Sequence, residues 1–333
     1  MSADHHRRSP SGFRRSVLVP LSAALVMATG TGAWYAFGGD GLRSPGASPD
    51  SDSPAVASLA RSLDLPWPAE GQASAEVEGI GSLGTKGDQI PVPIASITKV
   101  MTAYVILTGH PLSGDGQGEE VTADQQAADE SFSTAESTAP VVAGRRYTQR
   151  QLLELMMLPS GNNVARLLAR WDSGDQERFT SKMNKAAAAL GMDRTTYTGA
   201  SGFESSTKST AADQMKLAHA VMKNEAFRKI VATPAVTAPG SGTPIRNSNK
   251  LLGKDGVIGL KTGSSTPAGG NLMWAATQEV AGVPRLILGV VLHQQADTNP
   301  TAGMAAAFEA SHTLITAIRA TLPHALAAQD SKS

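Results

Sequence analysis

Cysteine is absent from this 333-residue chain, which removes disulfides, thiolate zinc sites and a cysteine nucleophile together. Net charge is absent too. The 29 basic side chains balance 29 acidic ones, and no basic stripe with interleaved aromatics stands in the folded part, so nothing points to nucleic acid as a partner. A catalytic His–Asp pair is also missing: His219, His293 and His312 sit in apolar runs and read as packing or surface residues. No cluster of His and carboxylates carries metal-ligand spacing, and the sequence assigns neither metal nor cofactor. Covalent chemistry is left to hydroxyl groups.

What is present begins with a polarised amino terminus. His5, His6, Arg7, Arg8, Arg14 and Arg15 precede Val17 to Phe37, an uncharged and mostly apolar stretch. Its length of about 21 residues, at ~1.5 Å per residue, matches a ~30 Å hydrocarbon core. Basic residues ahead of it and few behind place the N-terminus in the cytoplasm and the rest outside. A cleaved signal peptide is the other reading, but its apolar run is usually about 7–15 residues. Length favours the anchor, although Thr29-Gly30-Thr31-Gly32 weakens its hydrophobicity. Gly38 to Ala57 is rich in Gly, Pro, Ser and Asp and reads as a flexible tether. The expected plan is a basic tail over 1–15, an anchor or signal segment over 16–38, a linker over 39–66, a catalytic domain over 67–325 and a tail over 326–333.

Three short motifs then follow in order: Ser96-Ile97-Thr98-Lys99, Ser160-Gly161-Asn162 and Lys261-Thr262-Gly263. Each alone is weak. A chain of this length holds about one Ser-x-x-Lys by chance, and Ser205-x-x-Lys208 is such a decoy. Taken singly, the first also reads as an N-cap with a surface lysine, the second as a plain turn and the third as a strand end.

Local patterning gives each motif a setting. Ile97, Val100, Met101, Tyr104 and Val105 predict a helix from Ser96 to about Leu107 with one buried face. Ser96 then lies at a helix N-terminus, and Lys99 is its neighbour one turn on. Residues 109–146 are polar and Gly-rich and read as loop and short strand. A helix from Thr148 to Leu158 is cut by Pro159-Ser160-Gly161-Asn162 and resumes at Val164, which places Ser160 and Asn162 on a turn. Further helices are predicted over Phe179–Leu190, Asp213–Val221 and Pro300–Leu322. Ala73–Leu83, Val257–Leu260, Leu272–Ala276 and Leu286–Leu292 read as strands. The fold class is α+β, with helices packed on an antiparallel sheet and a helical subdomain between the early and late strands.

The residue types suit acyl transfer. A serine hydroxyl becomes a nucleophile when a base takes its proton. Lys99 serves if it is neutral, and the ammonium of Lys261 together with burial would disfavour its protonation. Ser160 is placed to relay a proton, and Asn162 to hold the lysine and a substrate amide. The backbone N–H groups of Ser96 and Ser264 are the natural oxyanion donors, each worth about 3–4 kcal/mol of barrier. Gly263 would let a substrate lie along the strand edge, and Thr262 and Ser265 would offer hydroxyls to a carboxylate.

On these residues the chain resembles the serine D-Ala-D-Ala carboxypeptidases, the low-molecular-mass penicillin-binding proteins. The likeness extends to Ala95 to Ala103, Ser209 to Asp213, and Gly259 to Gly263 followed by Ala268 to Leu272. The resemblance implies a β-lactamase/transpeptidase-like fold. It also implies that Ser96 attacks the penultimate D-Ala carbonyl of a peptidoglycan stem peptide, releases the terminal D-Ala and is freed by water, with β-lactams acylating the same serine. Arg246 matches a position that helps bind the terminal carboxylate. Two other functions compete. A serine β-lactamase would need a dedicated Glu for deacylation; Glu177, Glu204 and Glu225 stand between Asn162 and Lys261, none in a Glu-x-x-Leu-Asn context. A non-catalytic, membrane-tethered cell-wall binder would have no need of Ser96, Lys99 and Lys261 together.

Overall fold

The computed structural model describes residues 63–330 apart from Ser241 and Ala281. The expected tail, the anchor and most of the linker lie outside the described residues. In chain order the elements are β1 (Gln72–Val77), β2 (Gly81–Lys86), β3 (Val92–Pro93), a 3-10 turn (Ala95–Ile97), α1 (Thr98–Gly109), β4 (Glu120–Thr122), α2 (Gln125–Glu130) and β5 (Arg146–Thr148). They continue with α3 (Gln149–Met157), α4 (Asn162–Ser173), α5 (Gln176–Ala189), β6 (Lys208–Ser209), α6 (Ala211–Met222) and α7 (Glu225–Val231). The chain closes with β7 (Ala235–Thr237), β8 (Pro244–Arg246), β9 (Val257–Ser265), β10 (Gly269–Val280), β11 (Val283–Gln294) and α8 (Pro300–Asp330).

The principal sheet is antiparallel in the order β2-β1-β11-β10-β9. Its side chains alternate between two cores, as a period of two requires. Leu272, Trp274 and Ala276 of β10 join Leu314, Ile315, Ile318 and Leu322 of α8 on one face. Met273 and Ala275 turn to the opposite face, where the helices from α1 to α7 gather. Each fully buried Leu, Ile or Met contributes about 1.5–3 kcal/mol, so both faces are strongly held.

Helix α1 lies inside this second layer. Nine of its twelve residues are buried, not the single face expected from spacing, because α3, α4, α5 and α6 all pack against it. Lys99 is consequently carried into the interior. Several boundaries also differ from expectation. Ala73–Leu83 is a hairpin, β1 and β2, turning at residues 78–80. The polar stretch 109–146 contains α2, started by Asp124 accepting from Ala127 N, and the β4–β5 pair. Helix α7 and the β7–β8 hairpin were unexpected, and α8 runs through Pro323 to Asp330 instead of closing at Leu322. Leu63 and Leu65 are already buried in the α8-side core, ahead of Trp67. The cap of α6 is Thr210, and a capping box of Thr148 with Gln151 starts α3.

Candidate active site

Ser96 sits at the centre of the 3-10 turn that feeds α1. Ala95 has a left-handed backbone, φ +46°, which costs energy for a residue with a Cβ and marks a held, strained entry. Two glycines let the surroundings close on this turn. A Cβ on Gly263 would stand 2.9 Å from Ile97 N and 3.0 Å from Ser96 N, and one on Gly202 would stand 2.0 Å from Ala95 O. Gly263 therefore lets β9 approach the Ser96 turn closely, a role additional to the unobstructed substrate edge expected from sequence. Since β9 is the edge strand, its far side borders the cleft.

Lys99, fully buried, hydrogen-bonds Ser96 Oγ at 2.8 Å, Asn162 Oδ1 at 2.5 Å and the Ser201 carbonyl at 2.7 Å. Thr102, one turn further along α1, donates to the Ala200 carbonyl at 2.6 Å and fixes the loop that supplies Ser201. Burial, then repulsion from Lys261 and Arg166, holds Lys99 well below the usual lysine range; Glu136 and Glu204 oppose that effect. A neutral lysine has two N–H bonds and one lone pair. A backbone carbonyl and an amide oxygen accept the two N–H bonds, so the lone pair is left for the Ser96 hydroxyl proton. A neutral lysine held this way has its lone pair toward a serine hydroxyl, the contact that proton transfer from serine to lysine requires.

Lys261 is buried on β9, donates to the Thr262 carbonyl at 2.9 Å, and is lowered to about 7 by burial. Thr262 Oγ1 and Ser248 Oγ are 2.7 Å apart. Ser160 is buried on the turn between α3 and α4 with φ +69°, and its hydroxyl hydrogen-bonds neither lysine. Ser96, Asn162, Ser264 and Ser265 line one cleft of about 500 Å³. Arg246 is exposed on the β7–β8 hairpin and is not among the residues lining that cleft. The decoy pair Ser205 and Lys208 is exposed elsewhere on the surface of the loop and β6.

Sequence reasoning missed the acid behind Asn162. Glu136, also on the cleft wall, accepts from Asn162 Nδ2 at 2.5 Å and is gripped by Arg166 at 2.6 and 3.1 Å. Arg166 was findable: it follows Asn162 by four residues on α4, on the same side of the helix. Glu136 stands in a polar loop and carried no pattern. The exposed ring of Phe203, another wall of the cleft, was missed for the same reason.

The sequence and the fold have counterparts among known proteins. Residues 83–295 match the family model described as D-alanyl-D-alanine carboxypeptidase. This chain belongs to the D-alanyl-D-alanine carboxypeptidase family. Its relatives include a D-alanyl-D-alanine carboxypeptidase of Streptomyces sp. strain K15, 35% identical over 227 residues that cover 63% of this chain and 76% of the relative. Another from Mycobacterium tuberculosis is 32% identical, covering 73% of this chain and 81% of the relative. Among solved structures, the Streptomyces K15 DD-transpeptidase superposes with a TM-score of 0.65 at 31% identity, over 76% of this chain and 98% of that one. Penicillin binding protein 6B from Escherichia coli gives 0.64 at 27% identity, over 76% and 79%. The β-lactamase/transpeptidase-like fold expected from sequence is therefore the fold of this carboxypeptidase family member, a serine-type hydrolase.

Proposed function

We propose that this enzyme removes the terminal D-Ala from peptidoglycan stem peptides through an acyl-enzyme on Ser96. The observation that carries the reading is Lys99 Nζ at 2.8 Å from Ser96 Oγ with its other two contacts on pure acceptors. Lys99 takes the hydroxyl proton as Oγ bonds to the penultimate D-Ala carbonyl carbon. The backbone N–H groups of Ser96 and Ser264 receive the oxyanion. Collapse breaks the peptide C–N bond; Ser160 gives its proton to the departing amine of D-Ala and takes in its place the proton that Lys99 received from Ser96, which leaves Lys99 neutral. Water then attacks the acyl carbon as neutral Lys99 takes its proton, the ester C–O bond breaks, and Lys99 returns that proton to Ser96 Oγ.

Lys261, Thr262 and Ser265 would take the substrate's terminal carboxylate, with Arg246 as a longer-range cation. A β-lactam would acylate Ser96 as a substrate mimic. Slow deacylation fits the cleft better than β-lactamase turnover. Glu177, Glu204 and Glu225 are not among the residues lining it, and Glu136 is held below the usual carboxylate range by Arg166 and Asn162, despite partial burial, which makes it a weak base. Action outside the cytoplasmic membrane, tethered by Val17 to Phe37, rests on the sequence pattern. Among the described residues no helix is long and apolar enough to cross a membrane.

The test is release of D-Ala from a synthetic peptide ending in D-Ala-D-Ala. Wild type should release it, and Ser96→Ala should be slower by at least about 10³-fold, as for loss of a catalytic nucleophile. Equal release by Ser96→Ala would refute the assignment.

A further inference from the structure

The side-chain amide of Asn162 can point either way, and only its neighbours choose. Its oxygen faces Lys99 Nζ and its nitrogen faces Glu136 Oε2, both at 2.5 Å. An ionised carboxylate only accepts, so Glu136 admits the nitrogen and rejects the oxygen. Arg166 keeps the carboxylate ionised by donating to both of its oxygens, and Glu130 anchors Arg166 in turn at 2.8 Å. The side chains of Glu136 and Arg166 are each only 11% exposed. The segment carrying Glu136 is tied to the start of α4: Asn162 N donates to Ser137 O at 2.8 Å, and Asn163 holds Ala139 at both backbone groups.

We propose that Glu136 is a positioning residue that locks the Asn162 amide with its oxygen toward Lys99, leaving the lysine lone pair free for Ser96. This rests on Ser96 and Lys99 being nucleophile and base. With the amide reversed, its N–H would donate to neutral Lys99 and compete with the Ser96 hydroxyl for that lone pair. Glu136 is not itself the base, because its two oxygens already accept three hydrogen bonds.

The charge of Glu136 has a second consequence. Lys99 is faced by Lys261 from β9, Arg166 from α4, Glu136 from its loop and Glu204 from the loop after Ser201. Removing the Glu136 charge takes away an anion that favours the protonated lysine and leaves Arg166 less compensated. Both changes ease deprotonation of Lys99. The acidic limb of acylation should therefore move to lower pH.

The experiment is the second-order rate of Ser96 acylation by benzylpenicillin against pH, read by intact mass, for wild type, Glu136→Gln and Glu136→Ala. Glutamine keeps an oxygen for Asn162 and loses the charge; alanine loses both. Glu136→Gln should hold the plateau rate within about threefold and shift the acidic limb downward, while Glu136→Ala should lose at least about tenfold, as for a buried hydrogen bond to a charged group. If Glu136→Ala does not fold, the limb of Glu136→Gln decides: a downward shift supports the role and an unmoved limb overturns it. Variants as fast as wild type with unmoved limbs overturn this inference alone. A wild type not acylated at Ser96 overturns the site reading and this inference with it.

Discussion

The two faces of the sheet bury very different material. Beneath α8, the core is Leu, Ile, Val, Ala and Trp274, filled from both sides by alternating strand positions. On the helical face lie the four charged residues that are buried as a whole among the described residues, Lys99, Arg150, Asp213 and Lys261, together with Asn162, Asn163 and Gln214. Taking a charged group out of water costs several kcal/mol even where it finds hydrogen-bond partners, so the helical face gives up stability that the α8 face supplies. In exchange, Lys99 and Lys261 acquire proton affinities that solvent would not give them. One side of the sheet carries apolar packing, and the other lowers the proton affinity of two buried lysines.

The contrast breaks most visibly at Ile315, which is fully buried under the sheet. Ile315→Ala should cost about 2–5 kcal/mol in chemical denaturation. The folded fraction should still acylate with an unchanged pH profile; a moved profile would join the two faces. Gly263→Ala tests the opposite face. Its Cβ would press on the backbone of the nucleophile turn. A displacement of this size should lower acylation by about 100-fold while the melting temperature changes little.

Lys261→Met sharpens the electrostatic half. Removing that ammonium lifts a repulsion from Lys99, so Lys99 becomes easier to protonate and the acidic limb of acylation moves to higher pH. Stability carries the same sign logic. Lys261 titrates at about 7 when folded and near the ordinary ~10.4 when unfolded, so between those values the unfolded chain binds more protons and stability rises with pH. Lys261→Met should flatten that rise, as measured by denaturation midpoints at pH 7.5 and 9.5. The smallest expected effect on stability is at Ser160, whose φ of +69° and unpaired buried hydroxyl are both unfavourable. Ser160→Gly should gain about 1 kcal/mol in denaturation and lose peptidase activity.

The same division governs what could be read in advance. Period-two and helical spacing exposed β9 to β11, α8 and most of the helical layer, since apolar burial leaves a periodic trace. The order of Ser96, Asn162 and Lys261 pointed to a candidate site because serine, amide and lysine are chemically suggestive, and the fold brings Ser96 and Asn162 together at Lys99. Burial of α1 on nearly all sides was hidden, since Thr98, Lys99 and Thr102 look like solvent-facing residues until their partners, Ala95, Ser201 and Ala200, are in place. Glu136 reaches Asn162 only through loop tertiary structure. Short strands such as β4, β5, β7 and β8 carry too few residues for any period.

The central claim is that burial and Lys261 make Lys99 a neutral base, and the most direct measurement is its own titration. NMR of protein labelled with ¹³C at the lysine ε-carbon, with Lys99→Arg to assign the signal, reads it without reference to any substrate. The account predicts a midpoint well below the ordinary lysine value of about 10.4 that moves upward in Lys261→Met. A midpoint at or above that value, unchanged in Lys261→Met, would contradict it.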